Sequence, residues 1–169
     1  MTTVKFDIER ATNASPEAFG AAFKVMFGFS GYLEQTGLEH SLLELVKMRA
    51  SQINGCAFCI DMHSKDARAA GETEQRLYLL SAWHESRAFY SPREQAALAW
   101  TEAVTLVAET HVPDEMYDEV RQHFSDDEIV ALTMAVVAIN GYNRLNVALR
   151  HAPGAYQPAS RRELAGAAA

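Results

Sequence analysis

Cys56 and Cys59 are the chain's only cysteines, and His63 follows the second by four residues. Two thiols at this spacing can cycle between dithiol and disulfide, hold a metal, or simply fill a core. On a helix the three side chains fall within about 60° of one another, so they share one stripe. Cα atoms three apart on a helix lie about 5 Å from each other, within the range a disulfide bridges. A free thiol with a pKa of about 8.5 is only about 3% ionised at neutral pH. Lowering that pKa to about 6 requires about 3.4 kcal/mol, of which a helix N-terminus supplies about 1 kcal/mol. His63, one turn beyond Cys59, is placed to supply the rest as base or imidazolium. This spacing nominates Cys59 as nucleophile and Cys56 as resolving thiol.

Two other readings stay open on the residues alone. Unreactive cysteines are often buried as small apolar groups. Zinc would find three ligands in C-x2-C plus histidine and would need a fourth from a carboxylate or water, since no second C-x2-C or H-x3-H exists. Covalent haem attachment needs histidine directly after the second cysteine, where Ile60 stands.

The elements that position these residues read as helices. Ser15-Pro16 opens an apolar segment to about Phe27, and a second helix runs from Leu38 to Ile53 with Leu42, Leu45, Val46 and Ile53 at helical spacing. Asn54-Gly55 stops it, because both residues tolerate a left-handed backbone. The next helix is predicted to begin beside Cys56 and to end near Gly71. Thr73 caps a short helix to about Trp83, Ser91-Pro92-Arg93-Glu94 is a capping box for a helix to Glu109, and Pro113 starts a short one. Ser125-Asp126-Asp127-Glu128 is a second capping box, opening a helix to Leu149. Val4, Phe6 and Ile8 suggest an extended N-terminal arm over residues 1–14, and 155–169 reads as a frayed tail. Residues 18–29 and 129–139 are apolar nearly all round. We expect the first to meet another subunit; the second fits either an interface or a central helix wrapped by its own chain.

The 169 residues are predicted to form one all-α domain, large enough to fold without a disulfide or metal. A net charge of −7 gives no footprint for nucleic acid. No run approaches the roughly 18 apolar residues of a membrane span, and the N-terminus lacks a signal-peptide pattern. The expectation is a cytoplasmic protein that binds neither nucleic acid nor membrane, with its thiols kept reduced.

Glu44 completes the pattern E-x11-C-x2-C-x3-H: Glu44, Cys56, Cys59, His63. This resembles the core of alkylhydroperoxidase AhpD-like proteins of the carboxymuconolactone decarboxylase superfamily, over roughly residues 38 to 110. The resemblance implies an AhpD-like helical bundle, homo-oligomeric as a trimer or hexamer, that reduces hydroperoxides without a cofactor. It implies Cys59 as the peroxidatic thiol, Cys56 as resolving, Glu44 and His63 as a proton relay, and a lipoyl-bearing or thioredoxin-like dithiol as reductant. Glu44 is singled out by the resemblance alone; by itself it reads as an exposed helix acid. The best-known members carry histidine between the cysteines where Phe58 stands here, which points to weaker activity or a bulkier hydroperoxide. A non-catalytic redox sensor or disulfide carrier, and a zinc-binding interaction module, are the alternatives.

The run Asn140 to Asn146 is unusually polar after so apolar a segment. Its Asn143 and Arg144 fit either the site or a subunit contact, or a helix turning toward solvent. Trp83 and Tyr90 read as core aromatics and His84 as a surface residue, while His111 and His151 belong to no pattern.

Overall fold

A computed structural model describes residues 16–158, so the extended arm expected over residues 1–14 lies outside the described residues. Eight α-helices run through it: α1 Pro16–Leu33, α2 His40–Asn54, α3 Ala57–Ala70, α4 Glu74–Leu79, α5 Pro92–Thr105, α6 Val107–Thr110, α7 Asp114–Val120 and α8 Asp126–Leu149. Short 3-10 turns at Leu80–Ala82 and Arg87–Phe89 join α4 to α5, and there is no strand among the described residues.

Local chemistry sets most boundaries. Both capping boxes form: Ser91 accepts from the Glu94 amide, Ser125 from the Glu128 amide, and each glutamate reaches back to its serine's amide. Gly55 takes a left-handed φ of 66° and closes α2, which leaves Cys56 as the N-cap of α3. The helix expected to run from Ser91 to Glu109 instead breaks at Leu106 and resumes as the short turn α6. The Thr110 hydroxyl donates to the Ala103 carbonyl at 2.7 Å, folding that end back on itself.

α2 is the central element, packed against α3, α5 and α8. One face carries Leu42, Leu43 and Val46 into a cluster with Ala97, Trp100, Leu132 and Val136. Another carries Leu45 and Met48 against Leu77, Leu80, Trp83, Tyr90 and Leu98. Each fully buried leucine here contributes roughly 1.5–3 kcal/mol. A third cluster joins Ala50 and Ile139 to Cys56 and Cys59 themselves, with Phe58 and Tyr142 packed on its edge. The thiols therefore sit in an apolar setting at the junction of α2, α3 and α8.

The two all-apolar segments differ. Within 129–139 most side chains are buried by the chain's own helices, and Val130 and Val137 face outward. α1 buries only Leu33, and it leaves Val25 at 78% and Phe27 at 59% exposure. Of the frayed tail expected over 155–169, residues 159–169 lie outside the described residues, and its start is held in place. The Tyr156 hydroxyl donates to Asp66 Oδ1 at 2.7 Å and its carbonyl accepts from Lys65, so residues 151–158 lie back along α3. Polar anchors on α3, which a linear reading cannot see, account for the difference.

Candidate functional site

The site is built where the N-terminus of α3 meets α2 and the C-terminal half of α8. Cys56 occupies the N-cap of α3 with extended backbone, its amide donating to the Ser51 carbonyl of α2 at 3.0 Å. Cys59 is the third residue of the helix and His63 the seventh, so the predicted stripe forms. At the N-cap of α3 the helix dipole favours an anion, and the Phe58 and Cys59 amides help to lower the Cys56 thiol.

Glu44 is buried on α2 and connects three cationic or ionisable side chains. Its Oε2 pairs with His63 Nδ1 at 2.8 Å, its Oε1 accepts from Lys47 Nζ at 2.8 Å, and His40 Nε2 lies 3.9 Å away. Burial pushes the carboxyl up, yet the hydrogen bond and charge of His63 and the charge of Lys47 outweigh it and hold Glu44 down at about 2. A carboxylate so placed accepts the Nδ1 proton of the imidazole and leaves Nε2 as the ring nitrogen turned away from it. No hydrogen bond joins His63 to Cys59 among the described residues. Instead, Cys59 Sγ accepts from Asn146 Nδ2 at 3.3 Å.

Both cysteines are free thiols at the start of α3. The neighbouring Cys59 thiol, against the opposing effect of burial and with help from backbone amides and Asn143, lowers the Cys56 thiol to about 7. The same pairing, together with burial, pushes the Cys59 thiol up. The pair thus gives up one proton readily and keeps the other, with the first negative charge at Cys56.

Access differs from acidity. A cavity of about 780 Å³ opens against Cys59, Glu44 and His63, and Cys56 is not part of its lining. Phe23, Phe27, Leu33, Leu38, Phe58, Met62 and Tyr142 make its walls largely apolar, while Lys47 adds positive charge beside Glu44. Cys59 itself has no surface open to water, so a reactant meets it only after a neighbouring side chain gives way.

Among the described residues, the side chains that converge closely enough to hold an ion are Glu44, His63 and Asp66, with ligand atoms within 4.8 Å of one another. The cysteines are not in that group, and Lys47 and the Tyr156 hydroxyl already bond its carboxylates. The C-x2-C plus histidine zinc site considered from the sequence is not assembled here.

The polar run on α8 turns inward rather than toward solvent. Asn143 and Asn146 are buried, whereas Arg144 is exposed and bonds back to Asn140. Asn143 Nδ2 donates to Ser51 Oγ at 3.0 Å, and its Oδ1 accepts from Asn54 at 2.9 Å. This ties α8 to the end of α2 just before the cysteines. Trp83 and Tyr90 are core residues, and His84 is exposed and bonded to Glu102. Sequence reasoning missed Lys47 and gave His151 no role, and it weighed Asn146 only as part of the polar run 140–146. Lys47 follows Glu44 by three residues, a spacing that signals a helical ion pair; no local signal marks His151.

The sequence profile described as "Carboxymuconolactone decarboxylase family" matches residues 16–103. The chain is 48% identical over 126 residues to the uncharacterised protein YdfG of Bacillus subtilis, a match spanning 75% of this chain and 85% of that one. A crystal structure from Agrobacterium tumefaciens, of a protein of unknown function provisionally described as the antioxidant defence protein AhpD, is 46% identical. It superposes with a TM-score of 0.77, covering 85% of this chain and 95% of the other. The debrominase Bmp8 shares the fold at 24% identity and a TM-score of 0.64, covering 82% of this chain and 70% of that one. The protein belongs to the carboxymuconolactone decarboxylase family, as an AhpD-like member. No helix among the described residues is long and apolar enough to cross a membrane.

Proposed function

We propose that the protein is a thiol-dependent hydroperoxide reductase. The observation that carries this reading is the placement of Cys59, beside a second thiol and a buried Glu44–His63 pair, against a large and mostly apolar cavity. Cys59 is the attacking sulfur: it lies in the cavity wall, where Cys56 does not, and is met once a neighbouring side chain gives way. Its thiolate attacks one peroxide oxygen, the O–O bond breaks, and Cys59 becomes a sulfenic acid. The departing alkoxide takes a proton by way of the His63–Glu44 relay and leaves as an alcohol. Cys56 then attacks the sulfenic sulfur, releasing the oxygen as water and closing the disulfide. An external dithiol, lipoyl-bearing or thioredoxin-like, restores the pair by thiol–disulfide exchange and becomes a disulfide itself. Apolar walls suit an organic hydroperoxide better than hydrogen peroxide, in keeping with Phe58 between the cysteines.

The exposed apolar side chains of α1, Val25 and Phe27, support self-association of this chain, for which a trimer or hexamer is our expectation. The test of function is a thiol count on reduced, metal-free protein before and after one equivalent of cumene hydroperoxide, with Cys59→Ser as control. Rapid loss of both thiols in the native protein alone supports the reading. Loss no faster than for an ordinary thiol defeats it and leaves a disulfide carrier or redox sensor as the reading to pursue.

A further inference from the structure

His151 stands outside every pattern in the sequence, yet it sits beside the reacting thiol. The chain reaches it by an abrupt turn: α8 ends at Arg150 with φ 54° and ψ 48°, a left-handed conformation that residues other than glycine and asparagine seldom adopt. The turn brings the His151 amide onto the Asn146 carbonyl at 2.9 Å and His151 Nδ1 onto Asn146 Oδ1, also at 2.9 Å. The ring then stacks on Phe58 at 3.8 Å between centroids and 15° between planes, with Phe19 edge-on at 5.5 Å. Beyond it, Gly154 N–H donates to Asp61 Oδ2 at 2.9 Å and the Tyr156 hydroxyl to Asp66, so the segment is anchored on α3 on the far side of the histidine.

The chemistry of the amide makes this arrangement directional. An asparagine side chain has one accepting oxygen and one donating nitrogen. The Cys59 sulfur, which must carry negative charge to react, is stabilised only by the donor, and Asn146 Nδ2 is the atom 3.3 Å from it. Oδ1 must then accept, and His151 Nδ1–H is the donor that meets it. Were the amide reversed, its oxygen would face the sulfur and its N–H groups would face the histidine proton. One proton on His151 Nδ1 thus selects the orientation of Asn146.

We propose that His151 is a positioning residue for the Cys59 thiol, holding Asn146 so that its N–H points at the sulfur. It lines the cavity, makes no hydrogen bond to the sulfur, and acts on the thiol through the amide. The inference rests on the peroxidase reading only in taking Cys59 as the reacting group.

The test reads the thiol itself. In the Cys56→Ser background, Cys59 is labelled with 13C at Cβ and its ionisation followed by NMR against pH. His151→Phe keeps a ring against Phe58 and removes the donor; we expect the acid dissociation constant of Cys59 to fall about tenfold, a rise of about one pKa unit. His151→Asn keeps a donor near the Nδ1 position and removes the ring, and it should stay within about twofold of the parent. In Asn146→Ala, His151→Phe should have no further effect. The reverse pattern, with His151→Asn impaired and His151→Phe normal, would assign His151 to packing and overturn the proposal. An unshifted titration in both variants would overturn it equally. A protein that shows the expected pattern but turns over no hydroperoxide would refute the peroxidase reading and leave the role of His151 standing.

Discussion

Replacing Glu44 by glutamine should destabilise the protein by an amount that depends on pH in a defined way. The carboxylate is buried and bonded at 2.8 Å to both His63 and Lys47, with its pKa held at about 2 against an ordinary value of 4.5. Because the folded pKa is depressed, the stabilisation is fully present above the unfolded value and is lost as pH falls toward the folded one. A depression of this size corresponds to about 3 kcal/mol at about pH 7 and falls to roughly half of that at about pH 3, a net figure well below the gross attraction of two such pairs. Glutamine keeps the volume and one acceptor but leaves the Lys47 ammonium and the imidazole without a counter-charge. Urea unfolding of both proteins at the two pH values gives the difference directly. If that difference is the same at both pH values, its origin is packing or hydrogen bonding, and the charge argument for the relay fails.

Three further outcomes follow from the geometry. Cys56→Ser should accumulate a Cys59 sulfenic acid on peroxide treatment, trapped by dimedone and read by mass spectrometry; absence of the label from Cys59 would contradict its assignment. His111→Gly should raise stability by roughly 0.5–1 kcal/mol in thermal unfolding, because this exposed residue caps α6 at φ 51°, where glycine is unstrained. A Cβ at Gly141 would come within 2.7 Å of the flexible end of Met26, so Gly141→Ala should change stability by less than about 1 kcal/mol, whereas Gly141→Leu should lose about 1–3 kcal/mol by forcing α1 off α8.

Features written in neighbouring residues could be read in advance. The two serine capping boxes, the stop at Gly55 and the alignment of Cys56, Cys59 and His63 depend on contacts within one helix or its flanking turn, and all of them form. The partners of those residues arrive from distant parts of the chain. Asn146 is 87 residues from Cys59, and His151 reaches it through a left-handed turn at an arginine, a residue type that announces no turn. Glu44 is the intermediate case: its spacing to Cys56 matters only because α2 and α3 pack side by side, so a family resemblance could flag it where helical periodicity could not. The inward turn of Asn143 was likewise hidden, since a polar run on a helix reads as solvent-facing until Ser51 and Asn54 are seen to satisfy it.

Access and acidity point to different sulfurs, and one shared proton reconciles them. Cys56 at the helix N-cap carries the first negative charge, with its thiol lowered to about 7, while Cys59 borders the cavity and holds its proton. On the peroxidase reading, Cys59 becomes nucleophilic when its proton passes to the neighbouring Cys56, and Asn146 and Asn143 receive the charge that appears at its sulfur. Cys56 is then a proton acceptor before it is a resolving thiol. Cys56→Ser should therefore do more than prevent disulfide closure. The rate of Cys59 oxidation in the native protein should rise through an inflection near the first ionisation of the pair, at about pH 7. In Cys56→Ser the inflection should move to higher pH, with a slower rate at neutrality, when sulfenic acid formation is followed by rapid quench. An inflection that stays in place would mean that Cys59 passes its proton to the His63–Glu44 pair directly, and would return Cys56 to the resolving role alone.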